Sequence, residues 1–282
     1  MSLETQITAL VNAANNLTSE VANKMSGIDQ KVDKATTAVD EFLKSSTSRQ
    51  LYVDAINGDD GNSGVSWANA KRTISGACAA VPDSFLGVIR LSKGEHVLDR
   101  DASIAGKVIT LIGNTSEKAD YAIRGMPYLA ESSSGATFTY STSFAMGLRG
   151  YLVAAGVTFK TLFVEDGSSP AMRAYSGSLV SSQSAHGMVL LQHSIIEVNH
   201  GPFMHQHDGG SFGTCDLRMR AVTTTKGDVS GSAYTGLRYL VDQNGEEAVP
   251  YELYGTSVEL IGFASWADAV RVNHANITSN LL

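Results

Sequence analysis

Four of the seven histidines fall close together, His193, His200, His205 and His207, in the run QHSIIEVNHGPFMHQHDGGSF. His205 and His207 are two apart, so on a strand both rings point to the same side. If that side met a threefold axis, three copies would bring six imidazoles to one point, a set that suits an octahedral transition metal. The opposing reading is that Asp208-Gly209-Gly210 makes the stretch a turn, or that the rings line an outer surface.

Paired carboxylates are what hydrolysis of a glycan needs, one as acid and one as base or nucleophile. The pairs available are Glu165 with Asp166, Asp208 with Asp216, and Glu246 with Glu247. Adjacent acids on a strand point to opposite faces, and EDG and NGEE read as turns. They are therefore read as solvated loop charges, and no catalytic residue is assigned. A lyase would want a carboxylate-bound Ca²⁺ and a basic residue; Arg218 and Arg220 share one side of a strand near Asp216, which is also the pattern of an ordinary exposed face. Asp54, Asp59 and Asp60 gather carboxylates and carbonyls in one loop, the chemistry of a Ca²⁺ site without EF-hand spacing. For gripping a sugar the aromatics matter. Tyr254 and Trp266, towards the C-terminal end, are the residues expected to do so, while most other tyrosines are expected to fill the interior.

Behind these residues stand two kinds of element. Ile7, Leu10, Ala14, Leu17, Val21, Met25, Ile28, Val32, Ala35, Val39 and Phe42 recur at three- and four-residue spacing. This is a heptad seam with one stutter at 17-21-25, where the left-handed supercoil relaxes. So narrow a stripe does not stabilise a lone helix, so residues 1–45 are expected to form an oligomeric coiled coil, a rod of roughly 54 Å at about 1.5 Å per residue. A helix packed on its own β domain is the alternative. Residues 46–50 read as a polar linker.

From Leu51 onward the pattern changes. Leu51-Tyr52-Val53 has strand character, and Ile56 to Gly64 is a Gly-, Asn- and Asp-rich loop. Trp67, Ala70, Ile74, Ala77, Cys78 and Val81 then mark one face of a short helix that Pro82 stops. Beyond it come compact apolar runs: Val88 to Leu91, Val108 to Ile112, Ala136 to Tyr140, Tyr151 to Phe159, Met188 to Leu191, Ile195 to Val198, Leu217 to Thr224, Leu237 to Val241 and Val258 to Ile261. Runs of this kind suit strands buried in parallel sheets. Val157, Leu179, Ile195, Leu217, Leu237, Val258 and Ile277 recur at a mean step of about 20 residues, which implies roughly ten coils of a solenoid. A β-sandwich would instead show paired runs joined by two-residue turns.

The stretch YVDAINGDDGNSGVSWANAKRTI, followed by GVIRLSKGEHVL and KVITLIGN, resembles the opening of right-handed parallel β-helices of the pectate-lyase-like type, above all those of bacteriophage tailspikes and tail fibres. The resemblance covers about residues 50 to 115. It implies a mainly β, single-stranded, right-handed parallel β-helix, with 51–83 as opening strand, loop and capping helix and 84–282 as the helix proper. It also implies a homotrimer, a place in the virion tail after synthesis in the host cytoplasm, and His-x-His metal binding at His205 and His207. Partners would be a host surface polysaccharide and other phage tail proteins. The favoured expectation is a non-enzymatic receptor-binding fibre. A tailspike depolymerase, hydrolase or lyase, is the alternative, and a structural component contacting only phage proteins is a third.

The totals agree with this frame. A chain of 282 residues with 43% hydrophobic residues has enough apolar surface for one large domain and an appendage. Glycine is frequent at 27 and proline scarce at 5, as stacked short strands require. A net charge of −7 without a basic cluster speaks against nucleic acid. No run approaches the roughly 20 apolar residues of a membrane span, and MSLETQITAL lacks a signal peptide's charged and apolar regions. Cys78 and Cys215 make no disulfide framework and are expected as buried thiols.

Overall fold

The computed structural model describes residues 2–131, 135, 137–147, 149–164, 177–182, 187–206, 215–229, 238–243, 251–271 and 277–282, apart from the side chains of 37–47, 206, 215, 243 and 277. Two compact units divide the chain, Met1–Thr47 and Ser48–Leu282. The first is one unbroken helix, α1 (Leu3–Thr47), which passes through Gly27 without a stop. Ile7, Leu10, Leu17, Val21, Met25, Ile28 and Val32 of the seam stand between 48% and 72% exposed. The expected linker is absent: α1 ends at Thr47 and strand β1 (Ser48–Val53) follows directly.

The second unit is mainly β, with long parallel sheets. The first sheet carries β1, β2 (Leu86–Leu91), β5 (Val108–Ile112), β10 (Tyr151–Ala155), β13 (Gly187–Gln192), β16 (Cys215–Arg220), β19 (Tyr251–Thr256) and β22 (Ile277–Ser279). In the second are β3 (Gly94–Leu98), β6 (Tyr121–Gly125), β11 (Thr158–Lys160), β14 (Ile195–Val198), β17 (Thr223–Lys226) and β20 (Glu259–Ile261). The third holds β4 (Ala102–Ser103), β9 (Phe144–Met146), β12 (Val180–Ser182), β15 (Met204–Gln206), β18 (Val241–Gln243) and β21 (Val270–Arg271). From β2 onward the chain visits the first, second and third sheets in turn, and neighbouring rounds pair in parallel.

Strand alternation explains the core. Gly87, Ile109, Leu152, Val189, Leu217 and Leu253 are register partners across the first sheet, and all face inward. Residues from all three sheets share one buried cluster. Inside it Phe144, Phe159 and Phe203 meet edge to face, with ring centroids 6.4 and 5.4 Å apart. A left-handed residue recurs at the corner after the first sheet, at Gly156, His193, Ala221 and Ser257. The corners stack: the Gly156 amide donates to Gln192 O, His193 to Arg220 O and Ala221 to Thr256 O.

Several expectations need correction. First-sheet steps, from Leu51 to Ile89, Leu111, Ala154, Leu191, Met219 and Gly255, range from 22 to 43 residues. The 20-residue repeat therefore mixes positions from different sheets: Ile195 lies in the second and Leu217 in the first. The first sheet has eight strands among the described residues, not ten coils. Tyr151 to Phe159 and Leu217 to Thr224 are each two strands around a corner. The run ending at Tyr140 belongs to an antiparallel hairpin, β7 (Pro127–Glu131) with β8 (Thr137–Ser141).

A short helix follows the opening strand and loop, as the spacing of apolar residues implies. Helix α2 (Ile74–Ala80) buries Ile74, Ala77 and Cys78 completely, with Ala70 and Val81 beside them. The helical face is shorter than its spacing implies. Trp67 belongs to a separate 3₁₀ turn, Trp67–Asn69, half exposed with its ring edge-on to Tyr52 at 4.8 Å. Burial pushes the Cys78 thiol up to about 12, so it is an inert core group.

Candidate functional site

A groove of about 710 Å³ runs along the outer face of the second sheet. Its floor is built by alternation. His96, Ile123, Phe159, Ile196 and Thr224 point inward and are buried, so their neighbours Glu95, Arg124, Lys160 and Glu197 must point outward. Register places Arg124 opposite Lys160, and Lys160 opposite Glu197. The floor is therefore a row of charges, one per strand. Arg124 Nε donates to Glu95 Oε1 at 2.6 Å, while Lys160 and Glu197 make no ion pair with each other.

The walls come from loops and the hairpin. Pro127, Tyr128, Leu129 and Thr139 of β7 and β8 line it, and so do Phe163, Val164, Asn199 and Asp228, which follow the strands of the second sheet. A lone hairpin is marginal, and here its base is fixed: Met126 N donates to Thr142 Oγ1 at 2.7 Å, and that hydroxyl donates to Leu98 O at 2.6 Å. Tyr128 stacks on Tyr140 at 5.4 Å. Burial, with Asp101 and Tyr140 nearby, holds the Tyr128 phenol above its ordinary range, so it stays neutral and can donate. The Phe163 ring lies 5.2 Å from the buried His200 ring, whose Nδ1 accepts from Val164 N at 2.9 Å. The Asn199 amide donates to Thr161 O at 3.1 Å, and Arg238 Nε donates to Asn199 O at 3.1 Å, which fixes this wall. Two aromatic rings thus line the groove together with charged groups able to bind hydroxyls.

Its acids are spaced against concerted cleavage by Glu95 and Glu197. Those residues stand three strand intervals apart, about 14 Å at 4.7–4.9 Å each. A glycosidase pair needs no more than about 9.5 Å. Glu197 and Asp228 are closer, on neighbouring rounds, since Glu197 faces Thr225 in β17.

Sequence reading named other residues, and the structure scatters them. Tyr254 lies on the outer face of the first sheet, where Arg218 sits 5.9 Å over its ring. Trp266 opens helix α3 (Trp266–Ala269) and packs half-buried against the core. Neither lines the groove. Arg218 is tied to Asp216 of its own strand at 3.4 Å and to Glu252 of β19 at 3.2 Å, ion pairs within and between two neighbouring strands. Glu165, Asp166, His207, Asp208, Glu246 and Glu247 lie outside the described residues, as does the side chain of Cys215. His205 is 1% exposed in the single chain, so a metal shared between copies would require this ring to reach the surface. Among the described residues no cluster of three His, Cys, Asp or Glu groups could hold a metal.

The acids of the proposed Ca²⁺ loop have other duties. Asp54 Oδ1 accepts from the Ile56 and Asn57 amides at 3.0 and 3.1 Å. Its burial would raise the carboxyl, but these bonds outweigh it and hold the group below its usual range. Asp59 accepts from Gly61 N at 2.7 Å. Asp60 accepts from Arg72 N, Thr73 N and Thr73 Oγ1 at 3.0, 2.9 and 2.6 Å. The cation in the loop is internal: Lys71 Nζ donates to Asp60 O at 2.8 Å and Asn62 O at 2.6 Å.

Glu95, Arg124, Lys160, Phe163, Glu197 and Asp228 escaped the sequence reading. The signal was present, since AIRG, TFKT and IIEV each place one charge after an inward apolar residue. Only register shows that these charges form a single row. Neither a protein-family model nor a curated protein matches this chain. What the fold defines is a class: a mainly β protein of long parallel sheets, led by a long helix and grooved along one outer face. Among the described residues no helix is long and apolar enough to cross a membrane.

Proposed function

We propose that this chain is a subunit of a homotrimeric bacteriophage tail fibre that binds a host surface polysaccharide without cleaving it. In this reading the three sheets close into a right-handed parallel β-helix, α1 joins three copies in a coiled coil, and the virion tail carries the assembly beside other tail proteins. The observation that carries the binding role is the groove, which Tyr128 and Phe163 line together with Arg124, Lys160 and Glu197. Aromatic faces cover the apolar side of a sugar, and the charged heads take its hydroxyls.

The test is calorimetric titration of the trimer with capsule or lipopolysaccharide fragments from candidate hosts. Binding should weaken at least tenfold in Tyr128→Ala and Lys160→Ala, and be unchanged in Tyr254→Ala. Equal weakening in all three, or none in the groove variants, would remove the groove from the account. Glu197 and Asp228 on neighbouring rounds favour the depolymerase as second reading. Released oligosaccharides that vanish in Glu197→Gln would establish it.

A further inference from the structure

The third sheet carries three polar side chains in register on its outer face. Val180, Met204 and Val241 are partners on β12, β15 and β18, and all three are buried in the common core. Alternation therefore turns the next residue of each strand outward. Those residues are Ser181, His205 and Asp242, partners in their turn. Adjacent strands stand about 4.7–4.9 Å apart, so each polar group is within hydrogen-bond reach of the next. Although they face away from the core, they are 8%, 1% and 0% exposed. Burying a hydroxyl, an imidazole and a carboxylate side by side costs free energy unless they satisfy one another. Apolar side chains of similar size would fill such a place with no loss of stability.

The two ends of the row differ. Beyond Asp242 stands Arg271 on β21. Its Nε and Nη2 donate to the two carboxylate oxygens at 2.7 and 2.9 Å, and its guanidinium lies 5.0 Å over the Tyr239 ring. Burial pushes the Asp242 carboxyl above its ordinary range, and the bonds from Arg271 oppose that rise. Each oxygen keeps a lone pair for a further donor. On the other side of Ser181 come Ala145 on β9 and Ser103 on β4. Ala145 is half-buried and Ser103 exposed. Openness thus rises step by step from Asp242 towards β4, and the serine is the member of the three nearest solvent, beside a single methyl group.

We infer that Ser181, His205 and Asp242 form a nucleophilic site that hydrolyses esters of small carboxylic acids. Ser181 and His205 are its catalytic residues, and Asp242, held by Arg271, is a positioning residue. His205 takes the proton of the Ser181 hydroxyl as that oxygen bonds to the ester carbonyl carbon. The tetrahedral adduct expels the alcohol, which receives the proton, and the acyl group stays on Ser181 Oγ. Water then attacks the acyl carbonyl and gives a proton to His205; the acid leaves, and the proton returns to Ser181 Oγ. Ester and water become alcohol and acid, with no other reactant. Asp242 accepts from the far nitrogen of the ring, so the nitrogen facing the serine is the basic one. The narrow opening beside Ala145 admits a short acyl group such as acetyl. None of these residues lines the groove, and the reaction leaves glycosidic bonds intact, so the inference does not rest on the fibre reading.

The full chain is incubated with a fluorophosphonate probe, which modifies an activated serine, and the modified peptide is mapped by mass spectrometry. Turnover is followed with 4-nitrophenyl acetate. One adduct, at Ser181, is expected, and Ser181→Ala should lose the adduct and at least about 100-fold in kcat. Asp242→Asn should lower kcat about tenfold or more with KM unchanged; a merely structural Asp242 would change the melting temperature and leave kcat alone. No adduct at Ser181, an adduct on another serine, or hydrolysis unchanged in Ser181→Ala would overturn the inference and leave three polar side chains that only tie neighbouring rounds together. Ser181→Ala removes one oxygen beside an alanine, which the fold tolerates, and the labelling of the wild-type chain needs no variant at all.

Discussion

Replacing Asp60 tests how the first round is closed. Its carboxylate accepts from Arg72 N, Thr73 N and Thr73 Oγ1. The Thr73 hydroxyl in turn accepts from Gly76 N at 2.9 Å and so caps α2. In Asp60→Ala, water replaces the bond to the exposed Arg72 amide, but Thr73 N and Oγ1 are part-buried. At about 1–1.5 kcal/mol for each of these two bonds, the loss is about 2–3 kcal/mol. Asp60→Asn retains Oδ1 and both amide bonds, and its NH₂ can donate to Thr73 Oγ1, so it should lose about 1 kcal/mol or less. Gly76 sharpens the test. A Cβ there would lie 2.4–2.7 Å from the Asp60 carboxylate atoms. Gly76→Ala should therefore destabilise the wild-type chain by forcing the carboxylate aside. In the Asp60→Ala background the clash is gone, and alanine's helix preference, worth up to about 1 kcal/mol, is realised. The expected result is a reversal of sign in a double-mutant cycle followed by urea unfolding, with Trp67 fluorescence as the local signal. The same penalty for Gly76→Ala in both backgrounds would refute this account of the cap.

Three further outcomes follow from the geometry. His96 is buried, its Nε2 donates to Ser92 O at 2.8 Å, and burial lowers its pKa while that bond and Asp54 oppose the shift. Stability should thus be full above about pH 6.5 and fall as pH drops below that, because the unfolded imidazole takes the proton first; His96→Gln should flatten that slope in melting curves, and an unchanged slope would exclude His96 as its source. Asp54 acts in a separate, more acidic window: its contribution is complete above the usual carboxylate range and is lost as pH falls through that range and below it. Ala221 holds φ at 52° in a corner where its counterpart two positions earlier in the stack is Gly156; Ala221→Gly should raise stability by about 0.5–1 kcal/mol in thermal unfolding, whereas a strained turn elsewhere would leave it neutral or lower. Phe159→Ala should cost about 3–5 kcal/mol in urea, since the ring is fully buried between Phe144 and Phe203.

How far the sequence reached can be judged residue by residue. The α1 seam, the strand β5 and the run from Leu51 to Val81 were legible because each depends on local rules: helix period, β-branched runs, and turn residues with a cap. Local chemistry also made Asp54, Asp59 and Asp60 look like a calcium loop. The long-range partner that fills it, Lys71, could not be read as such, because an ammonium eleven residues from Asp60 carries no spacing signature.

Composition, the apolar stripe of the leading helix and the alternation within each short run were fixed by the sequence alone, because each is set by neighbours within a turn or a strand. The length of each round, the row Arg124–Lys160–Glu197 and the row Ser181–His205–Asp242 were decided only by tertiary structure. Alternation tells inside from outside but looks the same on every sheet. It takes parallel pairing between residues 22 to 43 apart to say which outward side chains become neighbours.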